Sequence, residues 1–581
     1  MKPSFVLGLS LFIPVVPAQD PAERTAFEKL LPGRPLVEIS LRNPARLWAD
    51  LVKSRLGRLL AAESMAELRS AWDTSFELGQ IQSTLTMLMG LDKKSTMSLF
   101  RILQQVSGGM RLAYYPPMPP NGLGGWILEL DGEAEVLTRA SAVLLAGMGS
   151  DPIVEEARIT LLGQQLECCK QRAGTWRFVR PFTVDGRLYA LAWQDPEGAG
   201  ILTGAPRPDE PGAARPIVRS LLADQRMDLA VAVDLHDVMK LLQQQYESAD
   251  IRHDSELQFA KLVGVHDLHT LRLGLDVKRG RIVHELRAEV TEGGRFAAFL
   301  GSILPREGRA VGLLEFQPEG VRTSAMISVN MPKAYAEFTR LFKEGAKEFG
   351  GEEYDLEEVG QQFLGFSIKK DLIGPLDGRI LFFEGEKQIE KRKKKTGFCL
   401  GVGTRDSSKT GEVAIKLFEK STMAKKEETD YKGFKILAYD FSFLWSKTTV
   451  RYAMTDRFFL FAFGEAGHDY LRRVIDSEKL GEEERFRPTG DLKAQLALVP
   501  QESATLVWAN TVAAAGSLLE AWGSELARVT KDPEAADEDP SAKVLKSLSE
   551  NLGPLLEKEG LATTLSAMGR DRHGFWIRWI W

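Results

Sequence analysis

Cysteine is scarce in this chain of 581 residues, which has only Cys168, Cys169 and Cys399. So few cysteines argue against a disulfide framework, and three cannot form the paired Cys-x-x-Cys motifs of a structural zinc site. Cys168 and Cys169 are adjacent, a spacing that seldom permits disulfide geometry, and strand alternation would place one side chain inward and the other outward. We interpret both as packing residues, with a redox pair as the alternative.

The short motifs that carry well-understood chemistry are also missing. The chain has neither a Gly-x-Ser-x-Gly nucleophile elbow nor a phosphate-binding Gly-x-x-x-x-Gly-Lys-[Ser/Thr] loop. Gly401-Val402-Gly403 lacks the third glycine of a dinucleotide-binding fingerprint. The sequence therefore predicts no cofactor and leaves any catalytic residue unknown.

Long apolar runs and a strong charge of either sign are absent as well. Beyond the N-terminus no segment has 18 apolar residues without a charge, so we expect no membrane span in the mature chain. A net charge of −5 over this length predicts neither nucleic-acid binding nor attraction to an anionic membrane. The chain is 44% hydrophobic and 27% charged, which is typical of globular proteins with an ordinary core.

The N-terminus has the three parts of a secretory signal peptide. Lys2 supplies one positive charge, Phe5 to Val16 is a short apolar run, and Ala18 is a small residue suited to cleavage. We predict a signal peptide at residues 1–18; a buried N-terminal strand or helix is the alternative. The protein is therefore expected to be exported, either periplasmic or secreted outside the cell.

One unit recurs four times along the chain: a short apolar strand, a helix-capping Asn or Asp, and an amphipathic helix. The capping residues are Asn43, Asp234, Asn330 and Asn510. Their side-chain oxygens can accept a backbone N–H that the first helical turn leaves unpaired, so we interpret them as N-caps rather than as ligand-facing residues.

The segment after the first unit resembles the segment after the third, and the segment after the second resembles the segment after the fourth. After the first and third units we predict a glycine-opened strand, a second strand leading into a helix, a third strand (Leu161–Cys168 in the first copy) and a hairpin. The first hairpin turns at Asp185-Gly186 and the other at residues 455–457. After the second and fourth units we predict shorter hairpins with basic turns.

These patterns predict an α+β fold that is internally duplicated, with mixed or antiparallel sheets and helices packed on one face. Chance agreement of simple β-α-β patterns is the alternative to duplication. The predicted modules are A (19–204), B (217–303), A′ (304–490, a repeat of A) and B′ (491–581, a repeat of B).

Histidine offers the remaining candidates for chemistry. His266 and His269 are three residues apart, so on a helix they would share a face and could bind a metal with Asp267 or His253. The stretch runs into a predicted strand at Leu271, however, where odd spacing sends side chains to opposite faces. We therefore predict no metal site, with His266 and His269 as the only candidates.

Two segments of biased composition have structural interpretations. Lys387 to Lys395 could contact phosphates or anionic lipid, but it links two predicted strands, which favours a solvated loop. The aromatic segment Phe575–Trp581 is interpreted as a terminal strand held in a sheet, although its tryptophans could also form a partner surface.

Several short motifs resemble one protein family. Leu31-Pro32, Leu47-Trp48 and the segment Ser54–Leu60 resemble the opening of a family of uncharacterised exported bacterial proteins, which has a leader, a leucine-proline, a strand and a helix. Phe363–Ile373, followed by Gly378, is similar to that family's middle motif. The resemblance covers most of the mature chain and implies export and an α+β repeat fold. The family is a domain of unknown function, so it implies no catalytic residues.

We expect a non-enzymatic binding or scaffolding protein of the cell envelope, because every residue singled out above has a structural explanation. Its partner would be a protein or small ligand bound in a cleft between the similar halves. One alternative is an extracytoplasmic hydrolase whose site is assembled from distant segments. Another is an envelope-assembly subunit, which requires a large exposed apolar patch.

Overall fold

A computed structural model divides the chain into two compact units. Unit 1 comprises Met1–Val238, Thr270–Leu286 and Asp532–Asn551, and unit 2 comprises Met239–His269, Arg287–Lys531 and Leu552–Trp581. The predicted signal peptide lies outside the described part of the chain. The described residues are 26–31, 35–65, 93–115, 125–148, 153–171, 176–194, 222, 227–235, 238–239, 260–318, 320–348, 355–390, 393–420, 424–443, 446–481, 485–513, 551–571 and 574–581.

Unit 1 is built on an antiparallel sheet. Its strands are β1 (Val37–Leu41), β2 (Met110–Tyr115), β3 (Gly125–Asp131), β4 (Ile153–Leu161), β5 (Gln164–Gln171), β6 (Trp176–Val184), β7 (Arg187–Gln194), β8 (Leu229–Asp234), β9 (Leu268–Lys278) and β10 (Arg281–Val290). The ends of β9 and β10 outside residues 270–286 belong to unit 2. The strands pair in the order β4-β5-β6-β7-β3-β2-β1-β8-β9-β10.

Helices cover both faces of this sheet. The helices described in unit 1 are α1 (Ala26–Leu30), α2 (Pro44–Lys53), α3 (Arg55–Ala61), α4 (Lys93–Leu103) and α5 (Ala134–Met148). On one face Phe27 of α1 packs in a core with Ala113 and Ile127. On the other face Leu99 of α4 packs with Trp126 and with residues of α5.

The described part of unit 2 contains ten further strands, which also pair antiparallel. Its strands are β11 (Thr323–Ser328), β12 (Leu376–Glu390), β13 (Lys393–Thr404), β14 (Ala424–Tyr431), β15 (Phe434–Phe443), β16 (Ser446–Met454), β17 (Phe458–Phe463), β18 (Thr505–Asn510), β19 (Thr563–Arg570) and β20 (Gly574–Ile580). They pair in the order β14-β15-β16-β17-β13-β12-β11-β18-β19-β20. This order is the one found in unit 1, strand for strand.

Helices also lie on both faces of the unit 2 sheet. They are α6 (Arg295–Ile303), α7 (Met331–Glu348), α8 (Leu356–Val359), α9 (Ser407–Lys420), α10 (Gly464–Lys479) and α11 (Gly490–Leu496), with two π-helical turns at Gly360–Leu364 and Ile368–Ile373 and further helical residues at 551–558. Tyr470 of α10 lies against Gly385 on one face, and Gly411 of α9 lies beside Met454 on the other.

The α+β class is confirmed, but the prediction that helices pack on one face is wrong. The physical reason is visible in β3, where Gly125 through Leu130 are all buried, so the strand has no solvated side. A strand buried on both faces needs cover on both.

Most local predictions are confirmed. Asn43 and Asn330 accept backbone N–H groups of the helices after them, and Asn510 accepts the N–H of Ala513. The hairpin at Asp185-Gly186 is the β6–β7 pair. The strand predicted at Leu161–Cys168 is confirmed in part: β5 begins at Gln164, and residues 162–163 are the turn of a β4–β5 hairpin that was not predicted.

The four module boundaries stay a prediction. In unit 1, β1 of predicted module A pairs with β8 of predicted module B, so strands of both modules share one sheet. Of the helices in the described ranges, none combines the length and apolarity needed to cross a membrane.

Candidate functional site

The candidate histidines lie in unit 2, where the chain enters β9. His266 Nε2 is 3.7 Å from Asp267 Oδ1, and His269 Nε2 is 2.7 Å from Thr291 Oγ1. The other oxygen of Asp267 accepts the backbone N–H of Phe296 at 3.1 Å and so caps α6. Within the described ranges no three His, Cys, Asp or Glu residues are grouped to hold a metal ion. His253 lies outside those ranges.

The cysteines are packing residues. Cys168 belongs to the core on the α1 side of the unit 1 sheet, and Cys169 belongs to the core on the α4 side. Strand alternation is thus confirmed, but neither side chain faces solvent because both faces are covered. Cys399 is also buried, and all three cysteines lie outside any disulfide. Burial raises the pKa of the Cys399 thiol well above its ordinary value, which keeps it protonated.

The two segments of biased composition are parts of strands. The basic run from Lys387 to Lys395 was predicted to be a loop, but β12 continues to Glu390 and β13 begins at Lys393. The C-terminal aromatic segment is β20, as predicted, and it pairs with β19. Alternation in this strand buries Trp576.

Two carboxyl groups meet in unit 1. Asp228 precedes β8, Asp276 is in β9, and the register pairs Leu229 with Leu275, so the aspartates are the next residues along each strand. Their side chains share a hydrogen bond. Lys278 Nζ lies 3.0 Å from Asp276 Oδ2.

Burial and hydrogen bonding shift the pKa values of the two aspartates in opposite directions. Burial raises the pKa of Asp228 to about 7, the hydrogen bond and charge of Asp276 add to the rise, and Arg46 and Arg42 oppose it. Burial would raise the pKa of Asp276 too, but hydrogen bonds with Asp228 and Lys278 hold it below its ordinary value. The pair therefore shares one proton in the acidic to neutral range.

A row of phenylalanine rings lies on one side of the unit 2 sheet. We call Phe382, Phe398, Phe461 and Phe463 the aromatic face; register and alternation place all four on the same side of β12, β13 and β17. Phe398 is central: its ring centroid lies 5.9 Å from that of Phe382, 6.3 Å from Phe461 and 5.5 Å from Phe463. Stacked rings at such distances stabilise one another beyond their simple burial.

The aromatic face is only partly covered. Phe382, Phe398 and Phe461 are half-buried, and Phe463 keeps 37% of its surface exposed. The opposite side of the same strands is closed: Leu381, Phe383 and Cys399 are inaccessible to solvent. Solvent therefore reaches one side of the unit 2 sheet at its centre.

The matching positions in unit 1 are closed. There Trp126 pairs with Ala192 in the same way that Phe398 pairs with Phe463, and Leu112 occupies the position of Phe382. These three unit 1 residues are 1%, 5% and 3% exposed, in that order, because α4 and α5 cover them.

Further aromatic side chains are exposed on the helices of unit 2. Phe338 and Phe342 of α7 stack at 6.4 Å and are 58% and 40% exposed, and Phe363 in the first π-helical turn is 68% exposed. Exposed apolar side chains that form a contiguous patch are typical of interaction surfaces. The rings themselves carry no ionisable group, and the aromatic face can bind apolar surface.

Sequence reasoning placed these phenylalanines in strands but did not recognise a surface. One signal was present: the run from Phe458 to Phe463 has aromatic rings at alternate positions 459, 461 and 463, which fall on one side of a strand. That signal could not tell whether a helix covers the side, since the covering element comes from elsewhere in the chain.

Comparison with known proteins adds no family. No known family matches the chain, and no curated protein is significantly similar to it. Among solved structures, crystal form I of TP0453 is 7% identical, with a TM-score of 0.15 and coverage of 79% of this chain and 99% of that one. A TM-score this low carries no argument, so the site rests on its own geometry.

Proposed function

We propose that the protein is an exported, non-enzymatic binding protein of the cell envelope, and that the aromatic face is its binding surface. The observation that carries this proposal is the partial exposure of Phe398 and Phe463 at positions whose counterparts in unit 1, Trp126 and Ala192, are closed. Burying half-exposed aromatic rings against an apolar partner is favourable, at roughly 25 cal/mol per Å² of apolar surface removed from water.

The signal-peptide pattern at residues 1–18 supports export, and so does the resemblance to the exported family. We propose membership of that family on the same sequence motifs. A periplasmic or extracellular location follows from the same pattern, and fractionation of cells that express the full chain tests it.

We also propose that units 1 and 2 arose by duplication. Support comes from the identical order of ten strands and from matched details of register, such as Gly125 opposite Tyr115 and Gly397 opposite Gly385. In this view the two copies diverged on one side of the sheet, where the first acquired or kept a helical cover and the second exposed aromatic rings.

The second candidate function is that of an envelope-assembly subunit, a protein whose apolar surface joins it to other envelope proteins. The exposure of Phe338, Phe342 and Phe363 in addition to the aromatic face favours it. A binding protein would keep these surfaces exposed when purified, whereas an assembly subunit would copurify with a fixed partner.

Binding of an uncharged apolar fluorescent dye such as Nile red tests the proposed surface. We expect the native full chain to bind the dye and Phe463→Arg to reduce the fluorescence several-fold, because the guanidinium places a charge among the rings. Ile303→Arg is the matched control, since it alters an apolar side chain of α6 that is as exposed as Phe463, at 37%, and lies outside the aromatic face, and it should keep most of the signal. Equal signals from all three proteins would refute the proposal.

A further inference from the structure

We propose that the aromatic face binds an amphipathic α-helix of a partner protein, in the place that α4 holds over the matching strands of unit 1. This inference rests on the proposed function, because it names the chemistry of the partner for the same surface. The evidence for it is that helices bury these positions in unit 1, whereas the equivalent positions in unit 2 stay partly exposed.

In unit 1 two helices, α4 and α5, cover this side of the sheet. In unit 2, α9 follows β13 as α5 follows β3 and lies on the same side beside Met454, so the difference in cover concerns α4. Leu99 and Ile102 of α4 are 4% and 8% exposed, and they pack in one core with Leu112, Trp126 and Ala192. They are three residues apart, so they lie on one face of the helix, while Arg101 between them is exposed. The helix is therefore amphipathic, and its apolar stripe rests on the sheet.

Unit 2 replaces that helix with shorter structure. The chain between α7 and β12, where α4 would fall, contains in its described residues only α8 and the two π-helical turns. In the first of these turns Phe363 is 68% exposed, so its ring does not close the sheet. Phe461 and Phe463 stand where unit 1 has Ala190 and Ala192, and they fill part of the volume without becoming buried.

The geometry of the face suits a helix better than an added strand. β13 is paired on both sides, with β12 and with β17, so it offers no free edge for strand addition. The rings span three neighbouring strands, a width of about 10 Å at the usual strand spacing. An α-helix with its side chains is about 10–12 Å across, so one helix covers the row.

A carboxylate borders the rings. Glu384 follows Phe382 on the same side of β12 and is half-buried. A partner helix that lies across the rings would stabilise this carboxylate by placing a Lys or Arg beside its apolar stripe. The sequence of α4 combines these features, because it begins with Lys93-Lys94 and continues into its apolar stripe.

The test uses a peptide of residues 93–106 as a probe helix. A lactam bridge between Lys94 and an aspartate introduced by Ser98→Asp holds it helical, since isolated helices of this length are marginal in water. Fluorescence anisotropy with the full chain should show saturable binding. Phe398→Arg and Phe463→Arg should each weaken it about tenfold or more, as expected for central aromatic anchors.

Two controls separate this binding from other contacts. The same bridged peptide with Leu99→Ser and Ile102→Ser should lose binding, because its apolar stripe is gone. The protein variant Ile303→Arg, which alters an apolar side chain of α6 that is 37% exposed, should bind the native peptide as the unaltered chain does. Circular dichroism of the protein variants confirms that they are folded.

Three outcomes count against the inference. Binding of the peptide that is unchanged by Phe398→Arg and Phe463→Arg overturns it, since the contact would lie elsewhere. If the apolar dye binds the aromatic face but the peptide does not, the helix inference fails while the binding surface stands. If neither binds, both proposals fail together.

Discussion

The rings of Phe398 and Phe463 are 5.5 Å apart with their planes inclined by only 13°, and they face each other across the paired strands β13 and β17. In unit 1 the same two register positions hold Trp126 and Ala192. A stacked, half-exposed pair thus occupies a position that is closed in the other unit. The stability and the accessibility of this pair can be measured separately.

Phe398 contributes to stability as well as to the surface. Phe398→Ala removes ring contacts with three neighbours from a half-buried site, and we expect it to lower the free energy of unfolding by about 2–3 kcal/mol. Phe363→Ala, at a 68% exposed position, should change it by less than about 0.5 kcal/mol. Urea unfolding of both variants checks this, and equal losses would contradict the packing described for Phe398.

The carboxyl pair in unit 1 makes stability depend on pH. Folding raises the pKa of Asp228 from 3.8 to about 7, so between these values the folded protein holds a proton that the unfolded chain releases. The free energy of unfolding should therefore fall as pH rises from about 4 to about 7. The depressed pKa of Asp276 acts in the opposite sense, and only below this range.

Asp228→Asn isolates this effect, because an amide can donate the same hydrogen bond to Asp276 without titrating. Relative to the native chain, the free energy of unfolding of the variant should be higher by about 1–2 kcal/mol at pH 8 and little changed at pH 4. This magnitude is already reduced for solvent screening. Asp185→Asn, in an exposed turn, is the matched control and should follow the native pH profile. If the stability of Asp228→Asn depended on pH as that of the native chain does, the pair would not share a proton.

Gly574 is required by close approach of the backbone in unit 2. A Cβ atom at this position would lie 1.8 Å from the carbonyl oxygen of Ala288, which belongs to the backbone and has little freedom to move. Gly574→Ala should therefore lower the free energy of unfolding by about 3 kcal/mol or more. Gly481→Ala, where a Cβ atom meets nothing within 4 Å, should be close to neutral in the same thermal melt. Similar melting temperatures for the two variants would be inconsistent with this contact.

Asn330 is predicted to stabilise α7 as its N-cap. Its Oδ1 accepts the backbone N–H of Lys333 at 3.2 Å. Asn330→Ala should lower the free energy of unfolding by about 1 kcal/mol. Asn330→Asp should keep most of the native stability because a carboxylate accepts the same hydrogen bond. Chemical denaturation distinguishes the two, and an Asp variant as unstable as the Ala variant would argue against capping.

Features encoded within a few residues could be predicted from the sequence. The caps at Asn43, Asn330 and Asn510 follow from side-chain chemistry close to the helix start. The β6–β7 turn follows from Asp185-Gly186, whose φ angles of 51° and 77° are the positive values that this dipeptide tolerates. Each depends on neighbours in the chain, so one sequence suffices.

Features that depend on distant pairing could not be predicted. Asp228 and Asp276 meet only because β8 and β9 pair in one register, and the aromatic face combines strands that are separated along the chain. The hairpin of β4 and β5 was missed because its turn is Leu162-Gly163, and Leu162 adopts a positive φ of 51° that leucine rarely shows. Helices on both faces were missed because antiparallel sheets often leave one face solvated.

Thiol labelling tests the central claim, that the aromatic face is open, most directly. The native cysteines are buried, so Phe463→Cys introduces a thiol that reacts with a maleimide reagent in the folded protein well before they do. Ala192→Cys, at the matching position in unit 1, is 5% exposed in its native form and provides the closed reference. We predict rapid labelling of Phe463→Cys and slow labelling of Ala192→Cys, and labelling of Phe463→Cys as slow as that of Ala192→Cys would contradict an open aromatic face.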